Sequence, residues 1–69
     1  MNDEIKVLKA KMQLLKLEFD SLTMYTNSKA DYYDDFWRDV SSECQDISNA
    51  IESAISYIED ELLNQQYLT

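Results

Sequence analysis

Apolar residues recur along this chain at helical spacing in two stretches. In the longer one, Tyr33, Phe36, Trp37, Val40, Cys44, Ile47, Ile51, Ala54, Ile55, Ile58 and Leu62 share one arc about 100° wide at helical rotation. The phase runs from Tyr33 to Leu62 without a slip. The opposite side carries Asp31, Asp35, Asp39, Asp46 and Asp60. This predicts one long amphipathic helix with an acidic back.

The earlier stretch reads differently. Ile5, Leu8, Met12, Leu15, Phe19 and Leu22 are spaced alternately three and four apart, the step of a coiled-coil seam. A second series, Val7, Ala10, Leu14, Leu17 and Met24, lies nearly opposite it. A helix apolar on both sides is buried on both. The long helix of the same chain covers one side, and a partner is expected on the other.

The break between the stretches falls at Thr26-Asn27-Ser28. Ser28 with Asp31 has capping-box spacing, and Asn27 tolerates the left-handed backbone that ends helices lacking glycine. The expected organisation is a single all-α domain over 1–69: helix 3–25, turn 26–28, helix 29–66, folded as an antiparallel helical hairpin. Ser42 with Gln45 also has capping-box spacing, so a break near Ser41-Ser42 would give a three-helix bundle instead. The apolar phase continues through that point, which favours one helix.

Length carries a further expectation. The first helix spans roughly 35 Å and the second roughly 55 Å. A simple hairpin sets Leu22 beside Tyr33 and Ile5 beside Asn49 or Ala50. Ile51, Ile55, Ile58 and Leu62 are then left without cover in their own chain. With Val7, Leu14 and Leu17 they form the expected self-association set. Burying one such side chain contributes about 1.5–3 kcal/mol. The expected assembly is a homodimeric helical bundle, with a different helical chain as the other candidate partner.

Composition supports helices and little else. Glycine and proline are both absent, which disfavours tight turns and hairpin strands and removes glycine-rich phosphate loops. Histidine is absent and there is one cysteine, so neither an internal disulfide nor a zinc site is available. Cys44 lies mid-arc and reads as a core residue. Glu59-Asp60-Glu61 spreads over about 200° of a helix and does not converge on a cation. No catalytic residue, metal ligand or cofactor is expected, and the chain does not read as an enzyme. Apolar runs never exceed two residues, which fits no membrane span, and no secretion signal is visible. A cytoplasmic location is expected. A chain this small buries only roughly 60% of its unfolded surface, another reason to expect association.

The net charge of −8 is unevenly placed. Lys6, Lys9, Lys11 and Lys16 balance Asp3, Glu4, Glu18 and Asp20 over residues 1–27. Residues 28–69 hold Lys29 and Arg38 against ten carboxylates, which accounts for the whole −8. Direct contact with nucleic acid is disfavoured, and a basic protein surface is the expected target. The same charge also serves plain solubility. Asp31, Asp35, Asp39, Glu43 and Asp46, with Tyr32 and Tyr57 outside the apolar arc, form the expected partner-binding surface: tyrosine anchors with an electrostatic rim.

In size, charge and helicity the chain resembles small acidic helical phage proteins such as anti-restriction and anti-CRISPR inhibitors. That likeness implies a regulator or inhibitor of a basic target, acting by steric contact or DNA mimicry, in a host cytoplasm. Separately, Tyr57-x-x-x-Glu61 resembles the C-terminal signal of helical-hairpin proteins exported by type VII systems, although the Trp-x-Gly turn of that family is absent. It implies the other class of function, an assembly or secretion partner that co-folds with another helical chain.

Overall fold

A chain without glycine or proline has few ways to stop a helix, and here it makes two long ones. The computed structural model describes residues 2–30 and 35–68. Helix α1 is Asn2–Lys29 and helix α2 is Asp35–Leu68. Asp3 and Glu4 in the first turn and Lys29 in the last suit the α1 dipole. The two helices pack antiparallel as a hairpin, 56 Å in its longest dimension.

Helix α1 runs past its expected end near Tyr25. The hydroxyls expected to interrupt it are instead absorbed by it. Thr23 Oγ1 donates to the Phe19 carbonyl at 2.8 Å, Thr26 Oγ1 to Leu22 at 2.8 Å, and Ser28 Oγ to Tyr25 at 2.7 Å. This back-bonding to the preceding turn lets threonine and serine sit inside a helix. Lys29 adds its ammonium over the Tyr25 ring at 5.4 Å. The chain then leaves the helix in a turn in which the Ala30 N–H donates to the Asn27 carbonyl at 3.1 Å. No described residue has a positive φ, so Asn27 does not supply the left-handed cap expected of it. Ser28 with Asp31 as a start to the second helix falls partly outside the described residues, and Ser28 itself belongs to α1.

Helix α2 is continuous from Asp35 to Leu68, with Ser41 and Ser42 inside it. Ser41 is buried and its Oγ reaches across to the Thr23 carbonyl of α1 at 3.3 Å. The Gln45 amide donates forward to Asn49 Oδ1 at 3.1 Å rather than back toward Ser42.

The register between the helices differs from the expected one. Lys9 meets Glu59 at 3.5 Å, Lys16 meets Glu52 at 3.6 Å, and Asp20 accepts from Ser48 at 2.5 Å. The α1 members advance by seven and then four residues, and their α2 partners retreat by the same steps. That is a constant antiparallel heptad register. It carries α1 much further along α2 than Ile5 beside Ala50. The cause is the longer α1 and the later start of α2, which make the helices about 42 and 51 Å long.

Two expectations change as a result. Ile51 and Ile55 are not an uncovered overhang: at 7% and 5% exposure they are the best-covered apolar side chains described. Ile58 and Leu62 are half-buried. The face that α1 turns to α2 is also rotated. It consists of Ile5, Lys9, Met12, Lys16, Phe19, Thr23, Thr26 and Ala30, all partly or fully buried. Leu8, Leu15 and Leu22, half of the expected seam, stand exposed beside it. Lys9 and Lys16 hold seam positions by laying their aliphatic stems along the interface while their ammonium groups reach Glu59 and Glu52.

The α2 half of the interface is Trp37, Ser41, Cys44, Ser48, Ile51, Ile55, Ile58, Leu62 and Gln65. Small side chains cluster toward the turn. Thr26, Ser41 and Ser48 are buried there, Ser48 to 1% exposure. Trp37 closes that end, edge-on to both Tyr25 at 6.3 Å and Phe36 at 5.4 Å between ring centroids.

Candidate interaction surfaces

The hairpin has two sides that differ sharply in character. Within a right-handed helix, the residue before a seam position lies to one side of the seam and the residue after it lies to the other. Reversing one helix of the pair brings the two preceding sets to the same side of the hairpin. Nearest the seam these are Leu8, Leu15, Leu22 and Lys29 of α1 and Val40, Ile47, Ala54 and Glu61 of α2. Six of the eight are apolar, and the two charged ones stand at opposite ends of the hairpin. The following sets, on the other side, include Gln13 and Asp20 of α1 and Gln45, Glu52 and Glu59 of α2.

The polar side is internally satisfied. Lys16 Nζ lies 2.9 Å from Asp20 Oδ2 and 3.6 Å from Glu52. Ser48 Oγ donates to the other Asp20 oxygen. Gln13, Lys16, Leu17, Asp20, Glu52, Ile55 and Glu59 line an open groove of about 500 Å³ here. Hydrogen bonds from Ser48 and then Lys16 hold the Asp20 carboxyl below its ordinary 3.8. The Asp20 hydrogen bond in turn raises the Lys16 ammonium above its ordinary 10.5.

These shifts fix a pH dependence. Asp20 is depressed on folding, so its contribution is complete above its unfolded pKa and is lost as pH falls through the lower folded value. Lys16 is raised, so its contribution is lost only as pH climbs beyond 10.5 through the folded value. Thermal melts followed by circular dichroism should therefore show wild type losing stability relative to Asp20→Asn as pH drops below 3.8. Parallel acid limbs for the two proteins would remove Asp20 from this role.

The apolar side is not satisfied. Phe36 and Ile47 of α2 and Leu8, Leu15 and Leu22 of α1 are exposed along it. Val7 and Leu14 extend it around α1, Leu14 at 63% exposure. Leu17, also 63% exposed, belongs to the flank beside the polar groove. The expected self-association set is thus split. Val7 and Leu14 lie on the uncovered face, Leu17 lies elsewhere, and Ile51, Ile55, Ile58 and Leu62 contribute to the intrachain seam. Leu8, Leu15, Leu22 and Ile47 are exposed on that face with Val7 and Leu14. The signal for them was present: Lys9 and Lys16 have seam spacing with Ile5, Met12 and Phe19, but a lysine does not read as a core position.

The acidic surface is the outer side of α2. Asp35, Asp39, Glu43 and Asp46 are exposed, as is Tyr57 at 77%. Asp39, Asp46 and Asp60 lie directly opposite the seam, whereas Glu43 and Tyr57 sit a step round toward the apolar side. Arg38 is the one basic residue of α2, and it pairs with Asp35 at 3.5 Å. Asp31 and Tyr32 lie outside the described residues.

Among the described residues no group of acidic, cysteine or histidine side chains is placed to hold a metal ion. Cys44 is buried in the seam. Among them, too, no helix is long and apolar enough to cross a membrane. No family model, curated protein or solved structure matches this chain.

Proposed function

We propose that this protein is a small acidic protein–protein interaction module, a regulator or inhibitor that blocks a basic target. The observation that carries this reading is the carboxylate line Asp39, Asp46 and Asp60 on the outer side of α2, backed by a rigid helix and facing away from every described lysine of α1. The nearby Tyr57 supplies an aromatic anchor beside that line. The apolar side of the hairpin is the self-association surface, so the working form is a homodimeric helical bundle. The spacing of carboxylates along a rod also suits steric occupation of a nucleic-acid groove by DNA mimicry.

The test is retrieval of the target with tagged protein from its own cells, followed by affinity measurement with the purified pair. Asp39→Lys with Asp46→Lys should weaken binding at least tenfold at unchanged helicity. Binding unaffected by the reversals rejects the acidic surface. A larger loss from Tyr57→Ala than from the reversals assigns the contact to steric, aromatic docking. Displacement of the protein from its target by duplex DNA supports mimicry.

A second reading rests on the size of the intrachain core. Cys44, Ile51 and Ile55 are the only buried apolar side chains among the described residues, and each keeps 5–9% exposure. Such a hairpin suits an assembly or secretion partner that completes its fold on a different helical chain. That reading requires the isolated protein to melt non-cooperatively and to gain a sharp transition only in the complex.

A further inference from the structure

The uncovered face of α1 carries Glu4, Lys11 and Glu18 on one stripe, the last two in an apolar setting. The residues three and four away from Lys11 along the helix are Val7, Leu8, Leu14 and Leu15. Those around Glu18 are Leu14, Leu15, Ser21 and Leu22. Neither charge has a helical neighbour of opposite sign, and neither makes an ion pair or hydrogen bond among the described residues. Both are exposed on the same stripe, two turns apart.

We infer that a second copy of this chain covers this face, with α1 packed antiparallel on α1 of its partner and Lys11 of each chain on Glu18 of the other. The pattern is self-complementary about a two-fold axis between Leu14 and Leu15. Reversing α1 about that point exchanges Lys11 with Glu18 and Val7 with Leu22, and sets Leu8 beside Ser21 and Leu22. The leucines bury one another, and the two ion pairs fix the register, as an isologous interface requires. A parallel in-register pairing would set Lys11 on Lys11 and Glu18 on Glu18. Charge also selects the helix. Residues 1–27 are neutral overall, whereas pairing through α2 would bring together the segments that hold the full −8 of each chain. The acidic sides of α2 are left on the outside of the assembly.

This inference rests on the self-association part of the proposed function, and it is separable from the acidic contact with a target. Sedimentation equilibrium should show wild-type dimer, with Lys11→Glu and Glu18→Lys each raising the dissociation constant at least tenfold. The double variant Lys11→Glu/Glu18→Lys should return to within about threefold of wild type, because the swap rebuilds both pairs only in the antiparallel arrangement. In a Cys44→Ser background, Leu15→Cys near the axis should oxidise to a covalent dimer and Leu22→Cys should not, a readout that does not depend on the charge variants folding. A wild-type monomer at every concentration, single variants that dimerise like wild type, a double variant weaker than either single, or equal cross-linking at both positions would overturn the inference. Retained target binding by Lys11→Glu shows that the acidic surface acts independently, and lost binding makes the dimer part of the target contact.

Discussion

Ile51→Ala is expected to lower stability by about 2–5 kcal/mol, the usual cost of truncating a buried aliphatic side chain. Ile51 is 7% exposed and lies in the middle of the seam, where α1 closes over it. A 69-residue chain has a total stability of about 3–10 kcal/mol. The substitution therefore removes a large share of it. In a domain of this size each kcal/mol shifts the midpoint by about 4–8 °C, so the melt should move down by at least ~8 °C or lose its cooperativity. Leu17→Ala, at an exposed position, should stay within about 0.5 kcal/mol of wild type. The contrast tests the register directly. Were Ile51 uncovered in its own chain, its truncation would act only through association, and the loss would disappear at high protein concentration. An Ile51→Ala melt like that of Leu17→Ala would exclude the described seam.

Much of the hairpin was legible because α2 is a simple pattern. Its apolar residues keep one phase from Trp37 to Leu62, and no glycine or proline interrupts them. Helix α1 was harder to read for a physical reason. Its inward positions include Lys9, Lys16, Thr23 and Thr26, which are covered because lysine stems and back-bonded threonines fit an interface between two helices. A hydrophobicity pattern assigns those positions to solvent and gives the seam to Leu8, Leu15 and Leu22. The register then followed from a misplaced turn. Thr26 and Ser28 have the composition of breaking residues, but their hydroxyls bond to the preceding helical turn, and α1 continues a further turn through them.

The acidic surface was readable as composition, since carboxylates on an exposed helix side need no packing partner to place them. Its use is another matter. Asp39, Asp46 and Asp60 form a line, while Glu43 and Tyr57 face toward the apolar side. A target that touches both groups must therefore wrap around α2 rather than lie along a single stripe. Tyr57 is then at the border between the proposed self-association face and the proposed target face. Its truncation is the substitution with the most direct chance of affecting both.

Leu15→Lys is expected to abolish dimerisation at micromolar concentration. Leu15 lies next to the inferred two-fold axis on the uncovered side of α1, so one substitution alters the interface twice. Each lost leucine removes about 1.5–3 kcal/mol of apolar burial, and symmetry doubles this to about 3–6 kcal/mol. That is a change of roughly two to four orders of magnitude in the dissociation constant. A second lysine charge also falls near Lys11 and its symmetry mate, adding repulsion where the wild type has Glu18 to balance it. The intrachain core is small, so the proposed dimer should add to helix stability, and the variant should lose helicity on dilution at concentrations where wild type retains it. Met24→Lys supplies the control. Met24 is 74% exposed but lies with Leu17 away from the uncovered face, so its dimer should be unchanged. Sedimentation equilibrium with circular dichroism at matched concentrations reads both effects. A Leu15→Lys dimer of wild-type strength, or an equal loss from Met24→Lys, would show that burial of the Leu8, Leu15 and Leu22 face is not what drives association.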